Sequence, residues 1–497
     1  MEPCTYLGID IGTSAVKAIL AGERGTEIAA ATVPLATTRR FPHWSEQIVE
    51  QWWLGVIDAV NGLWKVPGAK HTLRGIGVTG QMHGAVLLDL ECRPLRPAIL
   101  WNDGRAVKEA AFLQRNHPRL AQDVGVLPMP GLTAPKLLWL ARNEPDVLDR
   151  TRWLLSPKDY IRYRLTGIIA TDYSDAAGTW LLDQQQRVWS EAAVTAAGLS
   201  LSQLPPLVES NEACGHLTSE AAEVLDIAPG LPVAAGAGDT PAGAVGFGCV
   251  KAGDAVVSLG TSAHIFTPTV SYRPAVEQMV HSFCHALPNL WYQMGAMLNG
   301  ASAFGWICSL LGEDSGLVDA RVAERYDGPC DSLFLPYLTG ERTPHNDPHA
   351  RGVFFGLCPT TDRDLLCQSV MEGVAYSIAD CRDALTDSGT MIQQVAIGGG
   401  GAKSRIWAQI IASVLHLPVI RYHGKERGPA FGAARLARLA VEGGNPYELC
   451  REPEIEEILE PDHHHVERYR ENHQRFKRLY RQLRCEFEDE KEIYDDK

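Results

Sequence analysis

Cysteine is thinly spread in this chain: twelve residues among 497, with no C-x-x-C spacing and no two closer than nine positions. That pattern argues against a zinc site and supplies no disulfide framework, so the thiols are expected to be reduced. Long apolar runs are missing too. Gly, Pro or charge interrupts each of them well short of the roughly eighteen residues a membrane-spanning helix needs. Met1-Glu-Pro-Cys4 has no basic n-region, and the first apolar run already carries an acid, so no signal peptide is expected. With reduced thiols and no export signal, the expected compartment is the cytoplasm. Basic charge is in deficit: 46 Lys and Arg stand against 60 Asp and Glu, a net charge of −14. A surface of that sign disfavours nucleic acid and anionic membranes as partners. The chain also has no G-x-x-x-x-G-K-[ST] loop, which argues against a P-loop nucleotide-binding protein.

What is present is a set of loops with little side-chain bulk. In Val233-Ala-Ala-Gly-Ala-Gly-Asp239-Thr-Pro-Ala-Gly-Ala-Val-Gly246 an apolar strand gives way to a Gly/Ala-rich turn bearing one carboxylate. Asp239 suits a general base that takes a proton from a hydroxyl, the alternative being a capping Asp in a glycine-rich turn. Tyr6-Leu-Gly-Ile-Asp10-Ile-Gly-Thr13-Ser14-Ala-Val-Lys17-Ala-Ile-Leu20 reads as strand, two-residue Gly-Thr turn, strand. Glycine removes the Cβ that would block a phosphate, while Thr13 and Ser14 offer hydroxyls and N–H groups. Asp10 is costly to bury unless a cation pairs with it, and hydrated Mg²⁺ is a natural candidate.

The hairpin returns at Asp254-Ala-Val-Val-Ser258-Leu-Gly260-Thr261-Ser-Ala-His-Ile-Phe266, with Ser258 where Asp10 stood. A repeat at about half the chain length fits duplicated domains gripping one nucleotide, with the metal on the first half. A third loop, Gly398-Gly-Gly400-Gly401-Ala402-Lys-Ser404, leaves the backbone bare for a flat base or ribose. It lacks the spacing of a dinucleotide fingerprint, and a merely flexible loop is its other reading.

These features resemble the sugar kinase, heat-shock protein and actin ATPase superfamily, and within it the FGGY carbohydrate kinases. Gly131-Leu-Thr-Ala-Pro-Lys136-Leu-Leu-Trp139-Leu-Ala-Arg-Asn143 resembles the first FGGY signature. Gly352-Val-Phe-Phe-Gly356-Leu357, followed by Asp364 to Glu372, resembles the second. Gly80-Gln-Met82-His83-Gly84, Ile99-Leu-Trp101-Asn102-Asp103-Gly-Arg105 and Phe334-Leu-Pro-Tyr-Leu-Thr-Gly-Glu341-Arg342-Thr-Pro-His345 are similar to the xylulokinase branch. Glycerol kinases would be expected to carry Arg-Glu where this chain has Met82-His83. The likeness runs from about residue 5 to residue 484.

The resemblance implies an α/β fold of two actin-like ATPase (ribonuclease H-like) domains around a deep interdomain cleft. Its expected parts are 1–245 with a helical insertion at about 105–231, then 246–445, then a C-terminal helix and acidic tail over 446–497. It implies ATP and Mg²⁺, with phosphates met by Thr13, Ser14, Gly260 and Thr261, adenosine against Gly400, Gly401 and Ala402, and the metal near Asp10. Asp239, aided by Asp10, would activate the C5 hydroxyl of D-xylulose to give D-xylulose 5-phosphate. Met82, His83, Trp101, Asp103 and Asp239 would meet the sugar. A structural histidine and a local Asp103–Arg105 ion pair are the plainer readings of two of these. Lys158-Asp159-Tyr160 and Asp172 to Gly178 resemble the family's pattern too and are expected to organise the pocket floor, with no role assigned. One departure stands out: the family's usual Asn-Ala after the catalytic Asp is Thr240-Pro241 here. Proline removes a donor and stiffens the turn, which leaves a different ketopentose or a pentitol as the alternative substrate. A non-catalytic sugar-binding or regulatory member is the rival of another class. Dimers are common among the apparent relatives, so a homodimer is one expected state. His463-His464-His465 is read as part of a charged surface rather than a metal site.

Overall fold

Residues 4–23, 25–66, 68–423 and 428–489 are described in the computed structural model of the chain. Apolar residues alternate along the first strand, Thr5–Ile11, and both faces of that strand are covered. Leu7, Ile9 and Ile11 face the helix Val49–Leu63 through Trp52 and Val56. Tyr6 faces the other way, onto Ala430 and Phe431 of the helix Pro429–Glu442. A strand whose period of two serves two helical layers is the signature of a central strand in an α/β sheet.

The first sheet runs in the order Ala213–His216, Pro232–Ala234, Leu73–Gly80, Thr5–Ile11, Ala15–Gly22, Glu27–Pro34, with the short strand Ala237–Gly238 also pairing Leu73–Gly80. Its centre is an antiparallel hairpin beside a parallel strand: Asp10 pairs Lys17 across the hairpin and Thr79 on the other side. The second sheet repeats that plan. Its order is Val280–Cys284, Trp291–Met297, Ala263–Thr269, Asp254–Leu259, Gln394–Gly398, Val419–Tyr422, Ile455–Leu459. Asp254–Leu259 is antiparallel to Ala263–Thr269 and parallel to Gln394–Gly398. The turns are longer than the two-residue form expected from the sequence. Three residues separate the strands in each hairpin, and pairing resumes at Ile11↔Val16 in one and Leu259↔Ala263 in the other. The one-residue difference puts Ser258 opposite His264, whereas Asp10 lies opposite Lys17.

The core of the second half is the helix Arg363–Asp387, buried along most of its length and capped by Asp362, which accepts from the N–H groups of Asp364 and Leu365. The edge strand Ile455–Leu459 and the helix Val466–Asp489 belong to this half: Tyr469, Phe476 and Tyr480 lie in its core. Tail residues from Glu490 onward lie outside the described residues. The region between about 105 and 231 is mostly helical, and its core side chains Leu137 and Trp180 continue into Phe283 and Tyr292 of the second sheet. Among the described residues no helix is long and apolar enough to cross a membrane.

Two helices join the halves, and they touch backbone to backbone. A Cβ on Gly8 would lie 1.9 Å from the Ala430 carbonyl oxygen, one on Gly77 1.9 Å from that of Ala433, and one on Gly432 1.9 Å from that of Ala242 in the helix Asp239–Phe247. Arg435 then caps that helix's C-terminus, donating to the carbonyls of Val245 at 2.7 Å and Gly246 at 3.2 Å. Cations are favoured at that end of a helix. Gly77→Ala or Gly432→Ala should lower stability by about 2 kcal/mol or more through overpacking. Gly305→Ala is the control, because a Cβ there meets nothing within 4 Å; it should hold or slightly raise Tm by calorimetry.

Candidate active site

Asp239 starts its helix directly after the strand Ala237–Gly238, where Gly238 pairs with Gly80. The Thr240 N–H donates to its Oδ1 at 2.6 Å and the Thr240 hydroxyl at 3.3 Å. Those bonds favour the charged form, yet burial outweighs them and pushes the Asp239 carboxyl up to about 6. Burial, then the charge of Asp239, raises Asp10 to about 7 against the pull of Lys17. The two carboxylates therefore repel across a desolvated space. Asp10 Oδ1 is buried with no hydrogen-bond partner among the described residues. An orphaned acid oxygen beside a second acid is a fitting place for a hydrated divalent cation.

The loop after Leu73–Gly80 carries Met82 and His83. Met82 is buried over Gly238, where a Cβ would come within 2.8 Å of its sulfur. His83 holds φ 67°, a left-handed conformation uncommon in side-chain-bearing residues and concentrated at functional sites. Its Nδ1 lies 2.6 Å from the Gly178 carbonyl oxygen. A carbonyl can only accept, so Nδ1 carries the proton and Nε2 is left as an acceptor. Burial pulls the imidazole down to about 4, with Lys136 and Arg342 adding to the effect, so the ring is neutral near pH 7. Buried Lys136 holds this loop from below. Its ammonium donates to the carbonyls of His83 at 2.5 Å, Leu100 at 3.1 Å and Ile99 at 3.2 Å, tying the His83 loop to the Trp101 loop. Gly131, at the head of the same segment, is required by the Trp101 carbonyl, 2.1 Å from where its Cβ would stand.

Two expected contacts are corrected. The Thr13 hydroxyl is not free for phosphate: it accepts from Trp101 Nε1 at 2.9 Å and donates to Gln81 Oε1 at 3.0 Å. Ser14 is exposed and keeps the available hydroxyl of that turn. Asp103 faces inward. Its side chain has 0% exposure and accepts from the Ser45 N–H at 2.6 Å and from Arg105 Nε at 2.8 Å and Nη2 at 2.7 Å. The local ion pair wins because a carboxylate removed from water needs a bidentate cation to offset desolvation. Trp101 stays 40% exposed, with its indole nitrogen pinned to Thr13, and presents a flat face to solvent.

Two cavities share Phe247 and Gly399. The smaller, about 240 Å³, is lined by Asp239, Thr240, Ser258, His264, Phe266 and Gly428. The larger, about 650 Å³, is lined by Lys17, Ile397, Gly398, Ala402, Lys403 and Tyr422. Of the glycine-loop residues expected against adenosine, Ala402 lines the larger cavity. A Cβ on Gly400 would meet nothing within 4 Å, and Gly401 packs down onto Leu259, 2.5 Å from where its Cβ would be. Gly260 and Thr261 form the tip of the second hairpin, buttressed by Gly300 N–H and the Ser302 hydroxyl donating to the Thr261 carbonyl. A buried acid at a helix start thus opens onto a small chamber that continues into a larger, partly apolar one. That arrangement suits an extended anionic ligand presented end-on to a proton acceptor.

Residues 5–246 match the N-terminal domain, and residues 255–441 the C-terminal domain, of the FGGY family of carbohydrate kinases. The chain belongs to that family. It is a carbohydrate kinase and uses ATP. The chain is 44% identical to a xylulose kinase of Escherichia coli (strain K12) over 96% of its own length and 99% of that protein. Against a xylulose kinase of Bacillus subtilis (strain 168) the identity is 33%, over 95% and 96% of the two chains. Crystal structures of a xyloylose kinase from Brucella ovis (44% identity, TM-score 0.94, covering 97% of this chain and 99% of that one) and of a xylulose kinase from Rhodospirillum rubrum (29%, TM-score 0.89, covering 97% and 100%) share its fold.

Several residues of this kinase site escaped the sequence. Gln81 and Lys136 act through hydrogen bonds that span 68 and up to 53 positions, and His264 reaches the cavity only through the short second turn. A raised carboxyl pKa stabilises the fold only below its unfolded value and loses that contribution as pH rises through the folded one. For Asp10 that window runs from about 4 to about 7. Asp10→Asn should therefore raise the Tm of the ligand-free kinase at pH 8 and leave it nearly unchanged at pH 4, measured by calorimetry.

Proposed function

We propose that this kinase phosphorylates D-xylulose on its C5 hydroxyl, converting ATP to ADP and releasing D-xylulose 5-phosphate. The observation that carries the reading is Asp239, a desolvated carboxylate at a helix start that lines the smaller of two adjoining cavities. The sugar assignment rests on relatives bearing the name xylulose kinase.

In this reading Asp239, in its base form, accepts the C5 hydroxyl proton. The freed oxygen lone pair forms the bond to the γ-phosphorus while the bond to the bridging oxygen breaks and ADP leaves. A base held near pH 6 is matched to work at neutral pH. His83 Nε2 accepts from a second sugar hydroxyl, and the exposed Trp101 face walls the sugar. Ser14 and the backbone of both hairpins meet phosphate oxygens, Phe247 and Ala402 flank the adenosine. Asp10 would hold Mg²⁺ through water, which would neutralise charge on the β- and γ-phosphates. Most of the rate then comes from alignment and from excluding water, a competing acceptor. We place the enzyme in the cytoplasm, where its unpaired cysteines stay reduced.

A coupled ADP-release assay across D-xylulose, ribuloses, pentitols and glycerol tests the reading. Turnover should be fastest on D-xylulose, with kcat/KM rising through about pH 6 and levelling above it. Asp239→Ala should lose roughly 10²–10⁴-fold or more. Preference for another polyol would move the substrate assignment to that compound, and ATP hydrolysis indifferent to every sugar would overturn the kinase mechanism.

A further inference from the structure

Behind the sugar loop lies a buried ion cluster that the mechanism leaves unused. Lys158 Nζ stands 2.5 Å from Asp159 Oδ1, 2.8 Å from Asp172 Oδ1 and 3.8 Å from Asp175 Oδ2, and Arg162 Nη2 stands 3.4 Å from Asp159 Oδ1. All five side chains have 0% exposure. Three acids against two bases would leave an uncompensated charge in a dry interior, which is expensive. Burial, reinforced by the neighbouring acids against the pull of Lys158, holds the Asp175 carboxyl well above its usual range, which lessens that imbalance. Ser156 Oγ bridges two of the acids, its hydroxyl within donating distance of Asp175 Oδ2 at 2.5 Å and of Asp159 Oδ2 at 2.7 Å. A fully desolvated set of this kind contributes direction more than net stability.

The direction leads to the active site through Asp172. Its Oδ2 accepts from the Ser174 N–H at 2.8 Å, from the Ser174 hydroxyl, and from the Ser210 hydroxyl at 2.6 Å. With its proton committed to Asp172, Ser174 Oγ accepts from the N–H of Gly238 at 3.2 Å. Gly238 is the residue before Asp239. The short helix Tyr173–Ala177 that carries Ser174 ends at Gly178, whose carbonyl fixes the His83 ring. One short helix therefore touches both the backbone beside Asp239 and the ring of His83.

We infer that Ser174 is a positioning residue for Asp239: Asp172, oriented by Lys158, aims the Ser174 hydroxyl, and that hydroxyl fixes Gly238 and hence the direction of the next carboxylate. The inference rests on the reading of Asp239 as the base. Other titratable and polar groups face Asp239 as well. Asp10 approaches from the first hairpin, Thr240 from its own helix, His264 from the second hairpin across the shared cavity, and Tyr292 from the second sheet. None of these touches Gly238 through Ser174. Loosening Gly238 admits water to Asp239 and lets its carboxyl fall toward the ordinary range.

Ser174→Ala and Ser210→Ala each delete one hydroxyl donor to Asp172, and only the first also frees Gly238. Ser174→Ala should lower kcat with D-xylulose roughly tenfold or more, shift the acidic limb of kcat/KM to lower pH, and leave KM for ATP in place. Ser210→Ala should lower Tm while keeping kcat and the acidic limb at the parent values. Ser174→Cys, which keeps the volume and a weak acceptor, should show the same shift in smaller measure and serves where the alanine variant does not accumulate. Matching kcat and matching pH limbs in the Ser174 and Ser210 variants would overturn the inference. Asp239→Asn run alongside separates the two claims: an inactive Asp239→Asn with a parent-like Ser174→Ala sinks only the positioning role, whereas an active Asp239→Asn sinks the base itself.

Discussion

The contact on which the site depends is the glycine-sealed crossing of the helix Pro429–Glu442 over the first sheet and the helix Asp239–Phe247. Three glycines, Gly8, Gly77 and Gly432, let carbonyl oxygens sit where a Cβ would be. Backbones this close leave no side chains to slide past one another, so the crossing fixes where each half begins. Asp10 lies two residues beyond Gly8 on the same strand face, and Asp239 opens the helix that Gly432 touches. Both acids are therefore brought within electrostatic range of each other by packing that contains no functional group at all. Arg435, donating to the carbonyls at the end of the Asp239 helix, locks the crossing from the far end.

Desolvation governs the chemistry of that chamber. It raises Asp239 and Asp10, and it lowers His83 and His264, both to about 4. The acids are drawn toward neutrality and the imidazoles are held neutral. The cost appears as an unpartnered carboxylate oxygen on Asp10 and a left-handed backbone at His83. Strain and unmet polar groups collected at one place are what a site built for an absent charge should show.

The signature segments divide their labour in a way their residue types conceal. Lys136, the cation of the first signature, reaches no ligand pocket; it gathers three backbone carbonyls and so fixes the relative height of the His83 and Trp101 loops. Asp103 and Arg105 satisfy each other and hold Ser45. Thr13 joins the phosphate hairpin to the Trp101 wall, so the nucleotide side and the sugar side share one hydrogen bond. Lys136, Asp103 and Arg105 thus serve as scaffolding in this fold.

The sequence by itself determined the strands, the duplicated hairpins, the glycine loop and the family. Each is written locally, in the period-two burial of Leu7, Ile9 and Ile11, in repeated Gly-Thr-Ser turns and in runs of small residues. It also pointed to Asp10, an acid in an apolar strand, to Asp239 and His83, each beside a glycine, and, through the family resemblance, to Trp101. Turn length was not legible, and the one-residue difference between the hairpins brought His264 to the cavity unannounced. Only the tertiary structure decided which polar groups remain free. A hydroxyl or carboxylate reads the same in sequence whether its partner is a ligand or a distant residue, and Thr13, Asp103 and Lys136 found their partners within the fold because each was buried beside one.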